Sequence, residues 1–165
     1  MGRGMLVASC VLILIALTYL FDGVLDRQMN PNQRPVSTVD DAGIRQVELQ
    51  RNRQGHYVSS GQINGVTVQF LLDTGATDVA IPLEIARQTN LSRGIEGRAR
   101  TAAGSTIIYD THIDELRLGS IFLQNIDASI VPAMGGETIL LGMSALQQIE
   151  FSQRGTTLTL RQYPD

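Results

Sequence analysis

The residues best suited to chemistry are Asp73, Thr74 and Gly75, which follow the apolar run Phe70-Leu71-Leu72 and precede Ala76. A carboxylate directly after three apolar residues is costly to desolvate unless hydrogen bonds meet it. Thr74 adds a hydroxyl that can bond to a neighbour, and Gly75 permits close backbone approach. A carboxylate so placed can act as general acid or base on a bound water. The same three residues also suit an Asx-turn that closes a strand. Both readings stand at this point.

Other candidate chemistries yield to plainer readings. Asp110, His112 and Asp114 alternate along one stretch and would share a strand face, but with no evident fourth ligand they read as a solvent-facing stripe, not a metal site. His56 has no Gly-x-Ser-x-Gly elbow to serve. Met134-Gly135-Gly136 is followed by the apolar Ile139-Leu140-Leu141 instead of a helix, so it reads as a loop and not a phosphate cradle. All 13 basic residues are Arg, which removes a Ser-Lys dyad, a Schiff-base lysine and a P-loop lysine. The single Cys10 lies in an apolar run, so neither a disulfide framework nor a four-cysteine zinc site can form. A net charge of −3 without a basic run argues against nucleic acid as a partner. No metal or cofactor is implied.

The elements that would position Asp73 come next. The 165 residues allow one domain of ordinary size. Residues 5–21 are uninterrupted by charge, preceded by Arg3 and followed by Asp22, Asp26 and Arg27. The run is at the short end of a membrane span, and Leu17-Thr18-Tyr19-Leu20-Phe21 lacks the small residues of a signal-cleavage site. It reads as an uncleaved anchor, with the N-terminus cytoplasmic and the bulk of the chain outside. Residues 22–54 are polar and weakly periodic and read as a linker, able to span on the order of 30 Å if flexible. Ile44, Val47 and Leu49 offer a short helix or strand at its end.

The folded domain is expected over 55–165. Strands are predicted at 57–63, 66–72, 95–102, 106–118, 121–131, 149–152 and 156–161, with Asn64-Gly65 as the strongest hairpin signal. Short helices are predicted at 83–88, after Pro82, and at 143–148. The class is therefore mostly β, a closed or sandwiched sheet with one or two short helices behind an N-terminal transmembrane helix.

Asp73-Thr74-Gly75-Ala76, with apolar residues before it and Val79-Ala80-Ile81 after it, resembles the active-site loop of retropepsin-type aspartic peptidases. Leu140-Leu141-Gly142 and the residues 143–146 resemble the apolar-apolar-Gly segment and short helix that pack beneath that loop. The likeness extends to single-span bacterial members, through Gly55-His56-Tyr57, Asn64-Gly65 and Leu140-Leu141-Gly142-Met143-Ser144, and covers roughly 55–161 by pattern. It implies a retropepsin-like barrel in the bacterial inner membrane, single-pass, with its C-terminal domain in the periplasm.

The resemblance also implies a chemistry of two carboxylates, one acting as base on a water and the other as acid. Asp78, Asp110, Asp114 and Asp127 all lack the following Thr-Gly, so the second carboxylate is expected to be Asp73 of a second copy. Asp73, Thr74 and Gly75 are the implied catalytic residues. Ala76, Asp78, Ala102, Ala103 and Gly104 are the implied substrate-binding residues, the last three in a flap turn over an extended peptide. Thr77 stands where viral members carry an aspartate that binds substrate backbone, and Asp78 is next along. The strand at 156–161 is a candidate edge for pairing with the second copy, or an ordinary closing strand. The activity implied is an aspartic endopeptidase; the alternative is a catalytically silent peptide-binding or dimerisation module on the same fold.

Overall fold

A computed structural model describes residues 2–101 and 104–164. The chain opens with α1, Arg3–Met29, whose 27 residues extend about 40 Å at helical rise. Its large apolar side chains are exposed, and Gly4–Met29 is long and apolar enough to cross a membrane by length and composition. The helix outlasts the uncharged run by about two turns. It stops at Asn30, φ −123° and ψ 88°, because the following Pro31 disfavours helical backbone there.

Residues 22–54, read from the sequence as a linker, are instead largely built into the fold. β1 (Val36–Val39) and β2 (Arg45–Gln50) form an antiparallel pair, and Val47 and Leu49 of β2 are completely buried. The polar residues here serve the backbone. Asn32, 3% exposed, donates to the Gln50 carbonyl at 2.9 Å and the Val58 carbonyl at 2.7 Å, and its Oδ1 accepts the Gln50 N–H at 2.7 Å. Asn30 accepts the Asn32 N–H at 3.0 Å and donates to Ser60 Oγ at 3.0 Å. Asn52 donates to the Met29 carbonyl at 3.0 Å, which ties the end of α1 to the domain. Low apolar content pointed to solvation, yet buried asparagines paired in this way meet the requirement that buried polar groups be hydrogen-bonded.

The remaining elements are β3 (Val58–Ile63), β4 (Val66–Leu72), β5 (Val79–Pro82), α2 (Leu83–Gln88), β6 (Glu96–Thr101), β7 (Gly104–Leu118), β8 (Ile121–Val131), β9 (Thr138–Leu141), α3 (Met143–Leu146), β10 (Glu150–Arg154) and β11 (Thr157–Gln162). They make two sheets. One has the order β1-β2-β11-β10; the other, β3-β4-β9-β5-β8-β7-β6, bends round so that β3 also meets β7 at Ile63↔Leu116. The mostly-β, partly closed architecture is the one the strand pattern predicts. Asn64 and Gly65, at φ 48° and 81°, make the expected tight turn between β3 and β4.

Phe70, Ile81, Ile113, Leu116, Ile126, Ile130 and Ile139 are fully buried, in one cluster with Val47, Leu49 and Leu160 of the smaller sheet. The sequence offers 156–161 as a candidate edge, but β11 lies between β2 and β10 and is paired on both sides. Its alternating Leu158 and Leu160 face the core. The edges of that sheet are β1 and β10.

Candidate active site

The site begins with an inserted strand. β9 runs between β4 and β5, parallel to the first (Leu72↔Leu141) and antiparallel to the second (Ala80↔Leu140). The chain leaving β4 at Leu72 therefore emerges beside Leu141, whose carbonyl accepts the Asp73 N–H at 3.1 Å. Asp73 Oδ1 accepts the Gly75 N–H at 2.9 Å, and the Asp73 carbonyl accepts the Ala76 N–H at 3.2 Å. The Asx-turn reading is thus realised. It is compatible with the reactive reading, because the turn fixes one carboxylate oxygen and leaves the half-buried group facing outward beside exposed Thr74 and Gly75.

The floor of the loop is the β9–α3 corner. Met143 N–H donates to the Ala76 carbonyl and Ser144 N–H to the Thr77 carbonyl, each at 2.9 Å. Ser144 Oγ donates to the Asp127 carbonyl at 2.7 Å and accepts the Val79 N–H at 3.1 Å, joining α3, β5 and β8. The sequence motif included Ser144 without giving it this duty. Its signal was only its place directly after Gly142-Met143.

A pocket of about 250 Å³ opens beside Asp73 and Thr74. Leu72, Leu146 and Leu158 line it with Tyr57, Phe151 and Gln153. The Tyr57 hydroxyl is buried and has no hydrogen-bond partner among the described residues. None of these lining residues was read as functional from the sequence. Phe151 carried a faint signal, a large apolar residue inside the polar string Glu150-Phe151-Ser152-Gln153-Arg154.

The other expected site residues fall as follows. Ala76 is part of the loop floor, and Asp78 ends the loop with its carbonyl against Gly142. Gly104, φ 118°, begins β7 and pairs with Thr101 of β6. Ala102 and Ala103 lie outside the described residues. Asp110, His112 and Asp114 are exposed on β7, with His112 Nδ1 3.4 Å from Asp127 Oδ1 on β8. His56 is exposed, and its backbone N–H donates to Asn52 Oδ1 at 2.9 Å.

Comparison with known proteins agrees with this fold. The family model described as "gag-polyprotein putative aspartyl protease" matches residues 59–148. An uncharacterized protein from the cobV 5′ region of a Sinorhizobium species is 29% identical over 126 residues, 74% of this chain and 54% of that protein. An uncharacterized protein of Rickettsia prowazekii (strain Madrid E) is 25% identical over 119 residues, 65% of this chain and 47% of that protein. The chain spans about half the length of these curated relatives. Among solved structures, a retropepsin-like aspartic protease from Rickettsia conorii aligns with a TM-score of 0.60 at 22% identity. The alignment covers 78% of this chain and 94% of that one, so the two share a fold.

Proposed function

The chain belongs to the gag-polyprotein aspartyl protease family, and on that premise we propose that it is a membrane-anchored aspartic endopeptidase that works as a homodimer. The observation that carries the reading is Asp73 itself, held at the end of β4 by Leu141 and Gly75 with its carboxylate facing outward. One such loop is half a site. Peptide hydrolysis of this kind needs two carboxylates sharing a proton, so that one withdraws a proton from water while the other donates to the substrate. The second carboxylate is Asp73 of another copy, related by a twofold axis.

In this mechanism the water lies between the two Asp73 side chains and attacks the scissile carbonyl. The Thr74 hydroxyls bond across the axis and hold the two loops in register. The Gly75 N–H keeps one carboxylate oxygen occupied, which limits how the group can rotate. Substrate is an extended peptide bound strand-fashion between the copies, touching Ala76 and Asp78 and covered by a flap at the β6–β7 end of the sheet. α1 spans a bacterial inner membrane once and places the domain on the periplasmic face. Confining both copies to one surface raises their effective concentration.

The test is cleavage of a mixed peptide library by the full chain in detergent micelles, beside the Asp73→Asn protein. Cleavage that disappears in the variant is the expected result. Equal cleavage by both proteins removes Asp73 from the mechanism; a confirmed dimer that cleaves nothing supports a peptide-binding module instead.

A further inference from the structure

We infer that the joint between α1 and the domain is a lipid-headgroup site, where Arg27, Arg34, Arg51 and Arg53 form a basic collar that binds the phosphates of anionic phospholipids. The inference deepens the proposed function and rests on its membrane anchor, not on the chemistry at Asp73.

Helix length sets the height of the joint. The 27 residues of α1 extend about 40 Å, against about 30 Å of hydrocarbon and roughly 40–45 Å of bilayer with its headgroups. A helix of that length uses the whole bilayer thickness, so its last turn, with Arg27 and Met29, lies at headgroup level. No slack follows it. Asn52 donates to the Met29 carbonyl at 3.0 Å, and Gln54 Nε2 lies 3.6 Å from Met29 Sδ. Asn30 and Asn32 then carry the chain directly onto Ser60, Gln50 and Val58. The domain is therefore seated on the headgroups.

The same bonds gather the arginines. Arg27 and Arg34 line one cleft of about 460 Å³ with Asn30, Pro31 and Gln33. Arg51 and Arg53 flank Asn52, whose amide is bonded to Met29, so two separate segments bring positive charge to the end of α1. All four arginines are exposed, and none makes an ion pair among the described residues. Asp26, in the adjoining cleft with Met29 and Asn30, offsets one of the four charges. Glu48 Oε1 accepts from Gln46 Nε2 at 3.2 Å. Asp40 lies beyond the far end of β2, where its Oδ1 accepts the Ala42 and Ile44 N–H groups; the strand between Arg45 and Gln50 spans about 17 Å. A chain of net charge −3 thus turns a positive face to the bilayer.

Phosphate is the anion that such a collar fits. A guanidinium presents a planar fork of N–H donors that takes phosphate oxygens in pairs, and it is weakly hydrated, so it leaves water at low cost. At a charged membrane surface each such group strengthens binding by about fivefold.

The test reconstitutes the full chain into vesicles of equal parts phosphatidylcholine and phosphatidylglycerol, extracts it in mild detergent, and measures the retained lipids by mass spectrometry. The retained ratio of phosphatidylglycerol to phosphatidylcholine is expected to be about fivefold higher for the natural chain than for the protein carrying Arg27→Gln, Arg34→Gln, Arg51→Gln and Arg53→Gln. Arg27→Lys, Arg34→Lys, Arg51→Lys and Arg53→Lys together keep most of the preference, and Arg98→Gln/Arg100→Gln on β6 leaves it whole. Extraction in about 1 M salt, where the screening length is about 3 Å, weakens it without any substitution. Inorganic phosphate at matched ionic strength leaves it in place. Equal ratios for the natural and four-glutamine proteins, a preference indifferent to salt, or equal loss from Arg98→Gln/Arg100→Gln overturns the inference. A preference abolished by inorganic phosphate assigns the cleft to free phosphate and overturns the lipid assignment. A chain that alkaline carbonate washes off the vesicles removes the anchor together with the collar. One that resists the wash yet shows no preference leaves the anchor standing and removes the collar alone.

Discussion

Gly142 lays its bare Cα against the carbonyl of Asp78. A Cβ at Gly142 would overlap the Asp78 oxygen and come within 2.6 Å of its carbon and 2.8 Å of the Ala76 oxygen. These are backbone atoms of the loop that carries Asp73, so they cannot yield without moving that carboxylate. Gly142→Ala is expected to cost about 3 kcal/mol of stability, the upper part of the usual range for overpacking. Chemical denaturation checks it, with Gly135→Ala, where nothing lies within 4 Å, as the neutral comparison.

Ser144 holds α3 against β5 and β8 through one hydroxyl. Replacing it by Ala leaves the Val79 N–H and the Asp127 carbonyl without that partner, at a cost of about 1–3 kcal/mol. The denaturation midpoint should fall by a corresponding amount. An unchanged midpoint would show that the corner is held by the backbone bonds from Met143 and Ser144 alone.

The parts of the fold that were legible in sequence are those where one physical rule dominates. Val66–Leu72 and Ile121–Val131 were readable because apolar residues cluster or alternate between turn residues, and Asn64-Gly65 because few other pairs take positive φ twice. Leu83–Gln88 followed from Pro82. β5 and β9 were harder: Val79–Pro82 and Thr138–Leu141 are four-residue strands, too short for periodicity to show. Their importance comes from pairing across the chain, which no local pattern records. The joint at Asn30, Asn32 and Asn52 was misread because polarity normally marks solvated chain, and only the structure shows the backbone groups these amides meet. For the site, the Asp73 loop and Leu140-Leu141-Gly142 were visible as motifs. The pocket wall from Tyr57 and Phe151 was not, since it depends on how the two sheets meet.

That joint leads to a prediction about fragments. A chain beginning at Gly55 lacks β1 and β2, and so lacks the partner of β11 and the buried Val47 and Leu49. It also lacks Asn32, which bonds Val58 directly. Such a fragment is expected to be unfolded, whereas one beginning at Asn30 keeps these contacts and folds. Amide dispersion in NMR spectra separates the two outcomes. In the full chain Asn32→Ala leaves the Gln50 N–H and two carbonyls unpaired and should lower stability by about 2–3 kcal/mol or more.

Tyr57 offers a prediction with the opposite sign. Its hydroxyl is buried without a partner, a state that costs about 1–3 kcal/mol relative to a satisfied or absent group. Tyr57→Phe should therefore leave stability unchanged or raise it. If cleavage by the variant falls while its melting temperature holds, the hydroxyl serves bound peptide or the second copy, as its place beside Asp73 allows.

Mixing experiments test whether the site is shared. Suppose Asp73→Asn protein is added in equal amount to a fixed quantity of the natural chain and the copies exchange freely. Random pairing then leaves one natural dimer in four, and the number of natural dimers falls to about half its starting value. Mixed dimers carry one carboxylate and cannot divide the acid and base roles, so cleavage should also fall to about half. If each copy carried a complete site, adding the variant would change nothing. The same measurement without added variant should show specific activity rising with concentration, because dilution separates the two Asp73 loops. Activity that is constant on dilution from a demonstrated monomer would refute the shared site.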